Sequence, residues 1–204
     1  MKKPKRTKPS SHNRRKDLNE VRIIGGSHRG RKLRFPDAAG LRPTGDRIRE
    51  TLFNWLQPRI RGSRCLDAFA GSGALGFEAA SRGATGVVML DNSPAAFDTL
   101  QSNQAQLKLP GVEIEQRDAL AWLLDSAPIP FDILFLDPPF SEDLMDETLA
   151  LIAKRGWLVQ TGLAYVENGK GHAPSVPGNW ELLKEKKTGQ VEYRLWRNDS
   201  GAND

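Results

Sequence analysis

Apolar positions along this chain fall into two rhythms that take turns. Short apolar runs bounded by turn residues predict buried strands, and stripes spaced three or four apart predict helices. Residues 21–35 predict two short strands joined through a glycine-bearing turn, a hairpin. The run Arg42-Pro43-Thr44-Gly45-Asp46-Arg47 then predicts a helix capped by Thr44, with Ile48, Leu52, Phe53 and Leu56 as its apolar stripe. From residue 64 the two rhythms alternate strictly. A strand over 64–68 leads into the loop Phe69-Ala70-Gly71-Ser72-Gly73 and a helix through Leu75, Phe77 and Ala80 that stops near Gly83. A second strand, 87–90, ends on Asp91, and its helix opens at Ser93-Pro94 and runs towards Leu107. A third, 112–116, is followed by Asp118 and a short helix through Trp122 and Leu123. A fourth, 133–136, precedes a helix over 141–155 that Gly156 stops, and a fifth covers 162–167. The pattern then changes: residues 180–186 and 190–196 flank Lys187-Thr188-Gly189 as an antiparallel hairpin.

Strand and helix in alternation imply an α/β fold, a doubly wound parallel sheet with right-handed crossovers. Ligands of such sheets sit beyond the carboxyl ends of the strands, where the winding reverses. If the reversal falls between the first and fourth strands of the alternating series, the loop at Gly71 and the residues after 136 become neighbours.

Those residues are Asp137-Pro138-Pro139-Phe140. Proline fixes its own φ, lacks an N–H and pushes the preceding residue towards extended geometry. The corner is therefore stiff and rich in acceptors: a carboxylate from Asp137, a carbonyl from Pro138, an aromatic face from Phe140. Two acceptors suit the two hydrogens of an NH2 group on a flat ring, and an aromatic side chain stacks on such a ring. In an arbitrary context the same four residues are an ordinary proline turn; at the end of a strand in a βα unit they point to an amine site. The loop Asp67-Ala68-Phe69-Ala70-Gly71-Ser72-Gly73 lets backbone approach a ligand closely. Gly71, Gly73 and Gly76 spell G-x-G-x-x-G, and Asp91 follows about 20 residues after the first glycine, as in dinucleotide sites. Asp91, with Asn92, is placed to hold ribose hydroxyls, and Asp118, with Ala119, to meet an adenine amino group; turn and cap chemistry accounts for the two acids equally well.

Three features favour S-adenosylmethionine over a nicotinamide. Asp67 precedes the glycine loop, where a carboxylate meets a cationic amino-acid end. The glycines lie several residues beyond the strand. The corner at Asp137 offers an amine pocket and no acid or base for hydride transfer.

Charge narrows the partner. The chain has 204 residues and a net charge of +5. Residues 1–50 hold 16 Lys+Arg against 5 Asp+Glu, a balance of +11, and the rest holds 14 against 20, a balance of −6. By charge alone the basic part fits contact with a polyanion and a solubilising tail about equally. On the first reading Arg29, Arg31, Lys32, Arg34, Arg42 and Arg47 are the candidates. Arg42, Arg47 and Arg49 either meet phosphate, which the neighbouring basic hairpin slightly favours, or pair with Asp46 and Glu50. Residues 1–20 have almost no apolar side chains and predict a disordered basic tail without the apolar core of a signal peptide. No apolar run reaches the ~20 residues of a membrane span. The single cysteine, Cys65, excludes an internal disulfide and a multi-cysteine zinc site, and His12, His28 and His172 are scattered, so no metal is expected. A reducing cytoplasm is the expected compartment.

Together these residues resemble the class I methyltransferases, and more closely the RsmD-type family that methylates guanine N2 in small-subunit ribosomal RNA. The resemblance runs from about Arg22 to Arg197. It rests on Arg22-Ile23-Ile24-Gly25-Gly26 with Arg29-Gly30-Arg31-Lys32-Leu33, on Arg42-Pro43-Thr44 followed by Asp46-Arg47 and Arg49-Glu50, and on residues 66–76 with Glu78 and Ser81-Arg82-Gly83-Ala84. The Asp137-Pro138-Pro139-Phe140 signature is shared more widely, by enzymes acting on adenine N6, guanine N2 and glutamine. Asp91-Asn92 departs from the glutamate that often ends the second strand, and the basic extension is longer than usual. The resemblance implies a Rossmann-like seven-stranded sheet whose last hairpin is antiparallel. It also implies S-adenosyl-L-methionine as methyl donor and ribosomal RNA within an assembling small subunit as substrate. The expected organisation is a tail (1–20), a basic hairpin appendage (21–41), a methyltransferase domain (42–198) and a polar tail (199–204), working as a monomer. The alternatives are an adenine-N6 DNA or glutamine-N5 protein methyltransferase, a non-catalytic RNA-binding assembly factor, and, more distantly, a nicotinamide dehydrogenase.

Overall fold

The described residues open with a hairpin, β1 (Leu18–Arg22) and β2 (Lys32–Pro36), antiparallel with Val21 opposite Leu33 and a short 3-10 turn, Gly26–His28, at its tip. It begins three residues earlier than expected, taking Leu18–Glu20 from the stretch expected as tail, whose residues 1–17 lie outside the described ones. The computed structural model describes residues 18–36, 44–139, 144–171 and 173–199. Helix α1 (Asp46–Ile60) follows, and then come β3 (Arg64–Asp67), α2 (Ala74–Ser81), β4 (Gly86–Asp91), α3 (Pro94–Leu107), β5 (Val112–Gln116), α4 (Ala119–Asp125), β6 (Phe131–Leu136), α5 (Met145–Arg155), β7 (Leu158–Gly169), β8 (Trp180–Thr188) and β9 (Val191–Asn198). The last seven strands form one sheet in the order β5-β4-β3-β6-β7-β9-β8, parallel from β5 to β7 and antiparallel at β9 and β8. The winding reverses between β3 and β6, the expected place.

Alternation within each strand feeds two apolar layers. Cys65, Val87, Ile133, Phe135 and Leu195 face Leu52, Phe53, Phe77 and Leu100 from α1, α2 and α3. Their sequence neighbours Leu66, Val88, Leu134 and Val166 face Trp122, Leu149 and Ile152 from α4 and α5, with Trp157 between them. Trp157 stays dry because its indole N–H donates to the Leu123 carbonyl at 3.0 Å. Caps fix where helices begin: Ser93 accepts from Ala96 N–H, and Asp118 from Ala121 N–H.

Thr44 corrects one expectation. The N-cap of α1 is Gly45, with no side-chain cap bond. The Thr44 hydroxyl instead donates to Asp137 at 3.0 Å, because its side chain is turned under the sheet's carboxyl edge. Arg49 is likewise not available to phosphate. It is wholly buried and donates to Thr44 O, Arg22 O and the Asp46 carboxylate at 3.1, 3.0 and 2.6 Å.

The hairpin is joined to the body through a buried acid. Glu78 of α2 accepts from the Ile24 and Gly25 amides at 2.7 and 2.8 Å and from Arg82 Nε at 2.6 Å, and lies 3.7 Å from Arg49. Asn103 of α3 both donates to and accepts from the Arg34 backbone, and Ser81 bridges Gly25 O and the His28 amide. Removing one partner of a buried charge network strands the others without compensation. Glu78→Ala should therefore lower unfolding stability by about 3–5 kcal/mol, read from urea midpoints. A loss under about 1 kcal/mol would show that the appendage is not held this way.

Candidate functional site

Strand register sets the site. Asp67 of β3 lies level with Phe135 of β6 and Met89 of β4, Asp91 ends β4 opposite Gln116, and Leu136 lies opposite Val166 of β7. One residue further on, Asp137 and Glu167 stand side by side. The carboxyl edge of the sheet thus carries Asp91, Asp67, Asp137 and Glu167 from strand to strand, centred on the reversal.

The glycine loop is tied down by two of these acids. Asp67, 2% exposed, accepts from Gly76 N–H at 2.9 Å. Asp91 accepts from Gly71 N–H at 2.8 Å and from Ser93 N–H at 2.9 Å. Gly71 and Gly73 have φ of 51° and 75°, in the left-handed region that favours glycine. A side chain at Gly73 would also meet Leu100 and Phe77 at 2.6 and 2.7 Å. The loop's shape therefore depends on glycine and on two carboxylates together. Within it Phe69 is half-buried, Ala70 and Ser72 are buried, and the Ser72 hydroxyl accepts from Ala74 N–H at 3.3 Å. Asn92 is exposed just past β4, and Asp118 uses one carboxylate oxygen for the cap of α4 beside buried Ala119.

Burial raises the affinity of these carboxyls for protons. It pushes Asp67 up to about 7, against the pull of the Gly76 amide, and it also raises Asp91. Asp137 is raised well above the usual carboxylate range, first by burial and then by the charge of Glu167, although the Thr44 hydroxyl counters. Asp137 is half-exposed, Pro138 is buried and Pro139 exposed. Glu167 is itself raised by burial and accepts a hydrogen bond from the Tyr165 hydroxyl.

Sequence reading missed Thr44 as a partner of Asp137, and it missed Glu167 and Tyr165. An acid closing the apolar run Leu163-Ala164-Tyr165-Val166 was the signal that could have found Glu167. Phe140 and Arg42 lie outside the described residues.

The basic candidates are spread out rather than gathered. Arg29, Arg31, Lys32, Arg34 and Arg47 are all exposed. Arg31 reaches the Gln106 carbonyl and His28 the Leu107 carbonyl, at the end of α3 far from the crevice. A helix the length of Pro94–Leu107 spans about 20 Å. The hairpin tip is therefore about that far from the carboxyl edge, Arg34 lies part-way along α3 against Asn103, and Arg47 opens α1 next to Thr44. Lys32 and Arg34 also meet Glu20, at the hairpin surface.

A cavity of about 230 Å³ lies on the other edge of the sheet, lined by Ile152, Leu158, Asn179 and Trp180 among others, and none of the candidate residues touches it. Among the described residues no cluster of His, Cys, Asp and Glu is arranged to hold a metal, and no helix is long and apolar enough to cross a membrane.

Residues 21–197 match the family described as Conserved hypothetical protein 95. The chain is 47% identical over 182 residues to the "Ribosomal RNA small subunit methyltransferase D" of Escherichia coli strain K12, covering 89% of this chain and 91% of that one. Its counterpart of the same name in Haemophilus influenzae is 48% identical over 182 residues, covering 88% and 94%. Among solved structures, the "Putative methyltransferase yhhF from Escherichia coli" superposes with a TM-score of 0.83 at 47% identity, over 89% of this chain and 99% of that one. The reversal between β3 and β6, the glycine loop, the acid-ended strands and this likeness along most of both chains agree, and the chain belongs to the Conserved hypothetical protein 95 family, the RsmD-type methyltransferases.

Proposed function

We propose that this chain transfers a methyl group from S-adenosylmethionine to the exocyclic N2 amine of a guanine in small-subunit ribosomal RNA. The observation that carries the reading is the state of Asp137. Among the described residues its carboxylate takes one hydrogen bond, from Thr44, while Asp67 and Asp91 are engaged by loop amides. Asp137 thus keeps acceptor capacity at the half-open strand end beside the glycine loop. The names of the relatives, methyltransferases of small-subunit ribosomal RNA, support the substrate class.

The residues present fit the donor. Gly71 and Gly73 leave room for backbone to approach an adenosine, Asp91 is placed for ribose hydroxyls, and Asp118 and Ala119 border the adenine side. Phe69, Ala70, Ser72 and Asn92 complete the rim. Asp67 lies beneath the loop as a buried negative charge that complements a cationic amino-acid end. When bound, S-adenosylmethionine supplies an electrophilic methyl on a sulfonium.

The guanine amine is a poor nucleophile because its lone pair is delocalised into the ring. Asp137 and the Pro138 carbonyl accept its two N–H bonds, which favours a pyramidal nitrogen whose lone pair is free for in-line attack. Thr44 holds one Asp137 oxygen, so the other is directed to the amine. Positioning and acceptor electrostatics supply most of the rate. Phe140 stacks on a base turned out of its helix. Arg47 meets phosphate near the crevice, with Arg42 expected alongside; Arg34, Lys32, Arg31 and Arg29 extend the track along the α3 flank. Because the tip lies about 20 Å away, the substrate is a folded or particle-bound RNA rather than a short oligonucleotide. The domain boundaries follow the same division, with the hairpin as RNA-binding appendage and residues 42–198 as the methyl-transfer body, in a cytoplasmic monomer.

Asp137→Ala should abolish tritium transfer to isolated small subunits while calorimetry still registers S-adenosylmethionine; unchanged turnover would refute the assigned role. Transfer to DNA or protein but not to subunits would favour the alternative amine substrates.

Donor binding should also depend on pH through Asp67. A cation near this carboxyl stabilises its charged form, so binding releases a proton when the carboxyl is partly protonated, near pH 7. Affinity should therefore rise from roughly pH 6 to 8, by about tenfold for each unit by which the cation lowers the carboxyl pKa. Calorimetry in buffers of different ionisation enthalpy measures the proton, and flat affinity with no release would contradict the placement.

Replacing Arg29, Arg31, Lys32 and Arg34 with alanine should weaken binding to the RNA and reduce the log–log salt slope by roughly 0.7 for every phosphate that the variant no longer neutralises. An unaltered slope would remove the hairpin from the interface.

A further inference from the structure

The proposed reaction leaves a proton to be disposed of. The N2 lone pair forms the new N–C bond, the C–S bonding pair goes to sulfur, and the positive charge passes to a nitrogen that still carries both hydrogens. One N–H bond must then break, its electrons staying on nitrogen and its proton moving to an acceptor. Asp137 is the carboxylate in contact with that amine.

What surrounds Asp137 bears on how well it accepts. Glu167 stands beside it near the end of the adjacent strand, 4% exposed. From β7 itself, Tyr165 donates its hydroxyl to Glu167 and is completely buried. From β9, Tyr193 lies opposite Glu167 in register, with its ring 6.3 Å from that of Tyr165, and Trp55 of α1 stacks on Tyr193. From β3 the acid that faces Asp137 is Asp67, and from the approach to α1 it is the Thr44 hydroxyl. Among the described residues no Lys, Arg or His pairs with Asp137 or Glu167, whereas Glu78 and Glu192, the other buried glutamates, each meet cations. A second buried acid with no counter-cation costs stability, and Tyr165 offsets only part of that cost.

We propose, resting on the methyl-transfer reading, that Glu167, held by Tyr165 beside Asp137, is the positioning residue that makes Asp137 basic enough to take the proton from the methylated amine. Glu167 touches no substrate. Its negative charge, undiluted by solvent or a cation, makes a proton on Asp137 more favourable, in the sense in which Asp137 is already raised. Burial raises the affinity of Glu167 for a proton, and the Tyr165 hydroxyl, by satisfying one of its oxygens, counters that rise and favours the charged form. Asp137 is half-buried at the strand end and is the member of the pair nearer solvent, so it can pass the proton on to water; Glu167 is closed off. Two interacting carboxyls titrate as a pair, so the rate profile reports the pair rather than either residue alone.

The test is Glu167→Gln, which keeps an oxygen for the Tyr165 hydroxyl and removes the charge. With wild-type chain and isolated small subunits, kcat/KM should fall below an acid limb set by the pair. In E167Q that limb should move to lower pH by about one unit, and kcat on the plateau should drop about tenfold or more, while KM for S-adenosylmethionine stays unchanged. Glu167→Asp, which keeps the charge, should keep the limb near its wild-type position. Carbon-13 NMR of the aspartate carboxyls in the full chain should show Asp137 titrating at lower pH in E167Q than in wild type. An unmoved limb in an active E167Q, or an unmoved Asp137 titration, overturns the role. Absence of methylation by the wild type overturns the methyl-transfer reading itself and this role with it.

Discussion

A carboxylate accepting backbone amides recurs where the chain must turn sharply or dock without help from the sheet. Asp67 holds Gly76, Asp91 holds Gly71 and Ser93, Asp118 holds Ala121, Glu78 holds Ile24 and Gly25, and Asp132 holds Arg64. Each bond satisfies amide donors that no ladder or helix reaches, and charged acceptors are the stronger kind. At the β3–β6 reversal the bonds from Asp67 and Asp91 fix the glycine loop that borders the crevice. In that company Asp137 is the exception. It is raised in proton affinity and half-open, and it accepts from a hydroxyl rather than from an amide. Unlike Asp67 and Asp91, it holds no loop amide among the described residues, and unlike Glu167 it is not closed off from the crevice, so on the proposed reading it has capacity left for a substrate.

Much of this was legible along the chain. The strand and helix rhythm and the cap at Ser93 follow from local periodicity, and right-handed crossovers imply a doubly wound sheet. The sequence offered the reversal between β3 and β6 as a condition under which the glycine loop meets Asp137, and the strand order meets it. What escaped was long-range. Thr44 looked like a helix cap because threonine before a helix usually is one; only the tertiary position of Asp137, 93 residues later, gives its hydroxyl a better acceptor. Arg49 looked slightly better suited to phosphate than to an ion pair because of the basic hairpin beside it, and its burial, in which the hairpin's Arg22 carbonyl takes part, decides for the pair with Asp46. Glu167 and Tyr165 read as the end of an apolar strand, since nothing local says that the neighbouring strand will end on another acid.

The charge asymmetry of the sequence takes on a spatial meaning in the fold. An edge carrying Asp91, Asp67, Asp137 and Glu167 is suited to a cationic donor and an amine, and it repels phosphate. On the proposed reading a polyanionic substrate must be held by something else, and the exposed basic residues sit on the hairpin flank and at the start of α1 rather than in the crevice. On that reading, separating the two functions keeps each electrostatically coherent: phosphates would be drawn to the appendage, and only an uncharged base would enter the acidic cleft.

That separation requires the appendage to be rigid relative to the crevice. A basic arm on a loose tether would raise local RNA concentration without orienting it, whereas positioning a single amine depends on fixed geometry between the two surfaces. The hairpin is bonded along its length, at Ile24 and Gly25 to α2, at His28 to the end of α3 and at Arg34 to Asn103, and Arg49 links Arg22 to Thr44. Thr44 in turn holds Asp137. A continuous path of buried polar contacts therefore runs from the basic surface to the carboxylate assigned to the amine. On the proposed reading, RNA held at one end of that path would have its base positioned at the other.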